Sequence, residues 1–503
     1  MVRDSSDAPV AALWREGEMA RCADDLERRA LSSRWIGSDP VLALFGGGNT
    51  SMKSGDGVLH VKGSGSDLAL VAARDFTPIA LAPAAALLDG PDLDNDGLAA
   101  ALAPLKREAT APKPSIETLM HAALPFRYVE HTHADSVLAL LNTASGERLA
   151  RQVYGSAAPL VPFRHSGFDL ARACLDVFRA RRDDTTVGLL LHFHGIVAFG
   201  DTGRDSFDHM VSLVRRAESY LKERGAWTLP TADVPPRSWA GARRLASLRR
   251  SLSSLAGFPV ALHVVDSPET VAYACRADLD RVALQGPPTP QHAVFTKRLP
   301  CLGLDAEAYA TAYRAYLREY GEPYAPSTHP DPAPRVLLDP AFGLVTCSVD
   351  GQHARMTATV FRHDIAISSR ASAHDEYVSL PPDAVLAGEV HYGGFDRARL
   401  QRRRTDLPLL GCVVGVTGEA PPATLDALRP LGADVVALGI SEHDCLDAIY
   451  RTGGLDVLVD TPGNPPAPTA LLDLLPLSPA GGWRGLPDID ALRAHWVRAT
   501  GVP

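Results

Sequence analysis

A chain of 503 residues, 46% of them hydrophobic, has material for about three buried cores. Its net charge of −9, from 59 acidic and 50 basic residues, leaves no basic footprint for nucleic acid. Seven scattered cysteines without a Cys-x-x-Cys pair argue against both a disulfide framework and a thiolate zinc site. No charged-then-apolar leader opens the chain, and the apolar run Ile79 to Leu88 is broken by proline and too short to span a bilayer. No membrane partner is therefore expected, and the cytoplasm is the expected location.

Residues 1 to about 30 read as an amphipathic helix, with Leu13, Met19 and Leu26 spaced for one buried face. An apolar strand, Val41 to Phe45, leads into Gly46-Gly47-Gly48-Asn49-Thr50-Ser51, and a second, Val58 to Val61, leads into Lys62-Gly63-Ser64-Gly65. Turns of this composition offer backbone N–H groups and small hydroxyls to a phosphate. Taken alone, each reads more readily as an ordinary connection. Neither fits the Gly-x-Gly-x-x-Gly pattern or a Walker loop.

Pro114-Ser115 starts a helix-favouring run through Leu119 and Ala123, with Ser115 as N-cap, Glu117 in the first turn and His121 on the same face at i, i+4. Arg127 to His133 reads as a strand, and alternate side chains of a strand share a face, so His131 and His133 can grip one ion together. On its own, His-x-His reads equally well as a strand with two outward polar residues. A second histidine pair follows at His192-Phe193-His194-Gly195, and a helix from Ser206 to Arg224 closes this region. Three imidazoles and one carboxylate suffice for a divalent-metal site.

A polar, proline-rich stretch from Thr228 to Arg237 marks a boundary. Residues 238 to about 400 form a second α/β unit that includes a strand at Val260 to Val265. Its Tyr313, Tyr316 and Tyr320 share a helix in a spacing typical of packing. Thr296-Lys297-Arg298 could hold an anion or form a solvated turn.

On these residues the chain resembles the class II (metal-dependent) aldolase and adducin superfamily, and within it the aldolase part of bifunctional rhamnulose-1-phosphate aldolase/alcohol dehydrogenase proteins. The segments that carry the resemblance are FGGGNTSMK (Phe45 to Lys53), VKGSGSDLA (Val61 to Ala69), PSIETLMHAALP (Pro114 to Pro125), VEHTHADSVLALLNT (Val129 to Thr143), HGIVAFGDT (His194 to Thr202) and GPPTPQHAVFTKRLP (Gly286 to Pro300).

The resemblance implies an α/β fold with three parts. These are a class II aldolase-like α/β/α core over residues 1–225, an α/β extension over 226–404, and a truncated, degenerate Rossmann-like domain over 405–503. It implies Zn²⁺ or another divalent transition metal on His131, His133 and His194, with Glu117 as the acid/base carboxylate. Asn49, Ser51, Ser64, Gly65 and Ser115 fall where relatives bind the phosphate of a ketose 1-phosphate. Lys62, Ser66, His292 and Lys297 are candidates for the rest of the substrate pocket. Ser66 stands where the bifunctional relatives carry an aromatic residue and Gln291 where they carry an acid, which points to an altered pocket. His192 could exchange places with His194 as ligand, but the His-Gly pair favours His194.

The implied reaction is reversible cleavage of a (deoxy)ketose 1-phosphate to dihydroxyacetone phosphate and an aldehyde, with a homo-oligomer, a tetramer, as the assembly. Sugar-phosphate epimerases or dehydratases on the same site, and a non-catalytic adducin-like scaffold, are the alternatives.

The tail resembles a short-chain dehydrogenase at Leu410 to Gly418, Gly432 to Val436 and Gly454 to Asp460. Its fingerprint turn is replaced by Glu419-Ala420-Pro421-Pro422, a negative charge and two ring-locked residues where a pyrophosphate needs free N–H groups. Asp460-Thr461-Pro462-Gly463 replaces the family's Asn-Asn-Ala-Gly, and no Tyr-x-x-x-Lys segment precedes Pro503. No NAD(P) binding and no dehydrogenase activity are expected.

Overall fold

Between Gly188 and Gly200 the apolar side chains alternate between two different cores. Leu190, Ile196 and Ala198 pack with Trp35, Val137, Phe207 and Met210, whereas Leu189, Leu191, Val197 and Phe199 pack with Leu59, Ile79, Leu119 and Phe168. Successive strand residues face opposite ways, so a near-continuous apolar run means a sheet covered by helices on both sides. The structure, a computed structural model, describes residues 13–392, 400, 402, 406–417, 426–439, 441–460, 471 and 483–484. It divides into two units, residues 1–229 with 366–380 and residues 230–365 with 381–503.

The first unit is built on seven strands: β1 (Asn49–Lys53), β2 (Val58–Lys62), β3 (Phe76–Ala80), β4 (Tyr128–Thr132), β5 (Leu160–Val161), β6 (Gly188–Leu191) and β7 (Gly195–Gly200). Their order is β3-β2-β1-β4-β7-β6-β5, antiparallel except for β5 beside β6. In the β1–β4 register Asn49 pairs with His131, Thr50 with Glu130 and Ser51 with Val129. Asn49, Ser51 and His131 therefore share one face of the sheet, and Thr50 and Glu130 the other.

On that other face, beside the apolar core of Ile196 and Ala198, lies a buried polar cluster. Arg29, on the helix Asp25–Gly37, forms a two-pronged ion pair with Glu130, and neither side chain is exposed. Ser206 Oγ donates to Glu130 at 2.9 Å, and the Ser33 and Thr50 hydroxyls are 2.8 Å apart. Removing one member of such a pair leaves a desolvated charge. Arg29→Met is accordingly expected to lower unfolding stability by about 3–5 kcal/mol, measured by urea denaturation. A loss below about 1 kcal/mol would mean that water reaches Glu130.

Several expected elements differ. The single N-terminal helix is two, Glu16–Met19 and Asp25–Gly37, because the Asp24 side chain accepts from Glu27 N and starts a new helix. Leu13 is 60% exposed rather than on a buried face. Val41 to Leu44 is buried and Phe45 half-buried, but the run is not a strand; Phe45 and Gly48 have φ of 50° and 66°, which breaks an extended run, and β1 begins at Asn49, after the glycines. The helix expected from Ser115 is Thr118–Ala123, with Glu117 at its N-cap position. The closing helix runs Gly203–Glu223, started by Thr202, whose side chain accepts from Asp205 N.

The second unit holds β8 (Ala261–Val265), β9 (Cys301–Leu302), β10 (Val336–Asp339) and β11 (Gly343–Ser348) in a sheet of order β8-β11-β10-β9. A separate sheet of β12 (Val413–Thr417), β13 (Asp434–Leu438), β14 (Val457–Asp460) and β15 (Trp483–Arg484) has the order β13-β12-β14-β15 with every pairing parallel. A buried Arg249–Asp456 pair ties the helix Trp239–Ala256 to the start of β14. Glu419-Ala420-Pro421-Pro422 and Thr461-Pro462-Gly463 lie outside the described residues. Among the described residues no helix is long and apolar enough to cross a membrane.

Candidate metal centre

His131, near the end of β4, faces the same side as Val129 and is fully buried. Its Nδ1 donates to the carbonyl of Ile196 on β7 at 3.0 Å, which leaves the Nε2 lone pair free to ligate. That Nε2 is 3.1 Å from His133 Nε2. Two imidazole nitrogens this close must share a proton or a cation.

His194 comes from the turn between β6 and β7, where its N–H reaches Leu191 O at 3.1 Å. Gly195 follows because β7 starts hard against β4: a Cβ there would lie 2.2 Å from Thr132 O. The ring centroids of His131, His133 and His194 are 4.9–5.1 Å apart, and one ligand atom from each lies within 4.8 Å of the others. His194 Nδ1 is buried without a partner. Three imidazole nitrogen donors with no thiolate, converging on one point, fit a divalent transition ion.

Glu117 closes the site. Its backbone N–H donates to Ser115 Oγ at 3.2 Å, and its carboxylate lies 3.0 Å from His194 Nε2 and 3.4 Å from His131 Nε2. Asn49 Nδ2 donates to it at 2.5 Å. Burial disfavours the charged form, but His131, His194 and the hydrogen bonds from His194 and Asn49 outweigh it and hold the carboxyl well below its ordinary range. Burial pushes His131 down to about 4, so His131 is neutral at pH 7.

Three segments expected to meet a phosphate converge nearby. Ser64 N donates to Lys113 O, Gly63 bridges to Pro114, and Lys62 Nζ reaches the carbonyls of Gly46 and Ser66 at 3.1 and 2.5 Å. The amine of Lys62 thus staples the two glycine turns together, and burial pushes its pKa down to about 8. Ser64 and Gly65 are exposed, Ser66 is half-buried, and Ser51 and Ser115 are buried.

His192 stacks on Phe193 with centroids 4.0 Å apart and is not in the three-histidine cluster. His292 and Lys297 belong to the second unit and are engaged inside it. His292 Nδ1 meets Thr289 Oγ1 at 2.7 Å, and Lys297 Nζ donates to the carbonyls of Asp331 and Ala333.

The family described as Class II Aldolase and Adducin N-terminal domain matches residues 32–221, and Aldolase class II, second domain, matches residues 240–400. The chain belongs to the class II aldolase family. Both histidine segments and Glu117 of this class II aldolase lie in the first match. A curated relative, "Uncharacterized oxidoreductase YuxG" of Bacillus subtilis, is 26% identical over 407 residues, 74% of this chain and 58% of the relative. The chain thus spans less than two thirds of that relative's length. Among solved structures, the N-terminal class II aldolase domain of a conserved Thermoplasma acidophilum protein is 33% identical, covering 42% of this chain and 99% of its own, with a TM-score of 0.39. The L-fuculose-1-phosphate aldolase of Thermus thermophilus is 19% identical, covering 39% and 95%, with a TM-score of 0.28.

Proposed function

We propose that this class II aldolase cleaves a (deoxy)ketose 1-phosphate reversibly to dihydroxyacetone phosphate and an aldehyde. The observation that carries the reading is the ionised Glu117 carboxylate held at the convergence of three histidines. A divalent ion on His131, His133 and His194, with Zn²⁺ the best match to the donor set, would supply Lewis acidity at the ketose oxygens. Glu117 takes the proton from the nucleophilic carbon in the condensation direction and returns it after cleavage, a step worth about 10²–10⁴ in rate. Ser64, Gly65 and Ser115 form the phosphate end, and binding there orients the reacting bond; at Asn49 and Ser51, the other positions where relatives bind phosphate, the amide NH₂ and the hydroxyl proton are directed to Glu117 and His121.

Family membership supports a small-molecule sugar-phosphate partner and a homo-oligomer, for which we propose a tetramer in the cytoplasm. The decisive assay offers a panel of ketose 1-phosphates and follows dihydroxyacetone phosphate release. Isomerised or dehydrated product without that release would favour the epimerase or dehydratase reading. No turnover in metal-replete protein would favour the scaffold.

For the tail, the proposal is that residues 405–503 bind no dinucleotide. Its support is chemical: in the sequence, Glu419, Pro421 and Pro422 stand where the dehydrogenase fingerprint carries glycines with free N–H groups for a pyrophosphate. Calorimetric titration with NAD and NADP is expected to show no binding at micromolar concentration. Micromolar affinity for either would instead align the chain with the oxidoreductase in its relative's name.

A further inference from the structure

Helix Thr118–Ala123 places His121 one turn beyond Glu117, fully buried, against β1 rather than among the three histidines. Its Nδ1 lies 2.8 Å from Ser51 Oγ and its Nε2 2.5 Å from Asn49 Oδ1. Asn49 in turn directs Nδ2 to Glu117 at 2.5 Å and to Ser115 Oγ at 3.2 Å.

The chemistry of the end members fixes every role in this chain. An ionised carboxylate only accepts, so the amide NH₂ of Asn49 must face Glu117, and Asn49 Oδ1 must face His121. An amide oxygen only accepts, so His121 Nε2 carries a proton and Nδ1 takes the Ser51 hydroxyl proton. Burial keeps His121 neutral, with a pKa of about 3, which suits this single tautomer. A rotated Asn49 would set its oxygen against the carboxylate, and the His121 N–H opposes that rotation. We propose that His121 is a positioning residue that fixes the amide of Asn49 and, through it, the carboxylate of Glu117. The proposal rests on the role given to Glu117 above and adds a task for Asn49 beyond any contact with phosphate.

The test compares two isosteric substitutions. His121→Asn keeps a partner for Ser51 but withdraws the donor from Asn49, whereas His121→Gln can return an N–H near the Nε2 position. His121→Asn is expected to lose ~10- to 100-fold in kcat with KM within ~3-fold and metal content unchanged, and His121→Gln to stay within ~5-fold of the parent. In an Asn49→Ala background, His121→Asn should cost nothing further, because the coupling runs through Asn49. Additive losses, or a Gln variant no better than Asn, would overturn the proposal. Crystal structures of the metal-free variants give a readout independent of turnover. Asn49 and Glu117 should shift in His121→Asn and superpose on the parent in His121→Gln, and unshifted side chains in His121→Asn would also overturn it. If the parent releases no dihydroxyacetone phosphate, the aldolase reading fails while the crystallographic comparison still decides the role of His121.

Discussion

Glu117→Gln is expected to lower turnover by about 10²-fold or more while a full equivalent of metal stays bound. The substitution is close to isosteric, and the side chain is nearly closed to solvent, so it must stay where it is. A Gln oxygen can still accept from Asn49, and its NH₂ can face His194. What disappears is a basic oxygen that takes up and returns a proton. Steady-state kinetics with metal analysis of the same preparation checks this, and near-parental kcat would remove Glu117 from proton transfer and favour the epimerase scheme.

His133→Ala is expected to abolish stoichiometric metal binding and reduce turnover by roughly 10³-fold, since Lewis-acid stabilisation is worth several kcal/mol. His131 and His194 would remain, but two nitrogens bind far less tightly than three, and the 3.1 Å contact that pairs His131 with His133 would be lost. Elemental analysis after dialysis against chelator measures it. A full equivalent retained by the variant would mean that the ion sits elsewhere. Arg29→Met offers the contrast: it acts on the opposite face of β4 and should cost stability before it costs metal.

The components of this centre were legible where the signal is local. A histidine on each side of one strand residue, a histidine before a glycine, and a carboxylate ahead of a helix are patterns of adjacent residues. The reason for Gly195, its approach to Thr132, needed the neighbouring strand. The relay from His121 to Glu117 was hidden because it depends on the β1–β4 register, although the i, i+4 spacing of Glu117 and His121 was a partial signal. Arg29 and Glu130, 101 positions apart, carried no sequence signal of their pairing.

The misread strand Val41 to Phe45 shows a different limit. Its apolar residues are buried as a strand's would be, but the carbonyls of Val41 and Leu42 accept from Asp135 and His133 N–H groups outside any ladder. A short apolar run reports burial and leaves backbone shape open.

Strand β4 carries two vocabularies interleaved at single-residue spacing. His131 faces the three-histidine cluster, while Glu130 and Thr132 on either side meet Arg29, Ser206 and Met210. Deleting or inserting one residue between Tyr128 and Thr132 would exchange the two sets, placing a carboxylate among the three histidines' partners and an imidazole against a buried guanidinium. A saturation library across the strand should sort by parity, with variants at 130 scored by abundance, those at 131 by metal, and single-residue insertions or deletions scored as null by both.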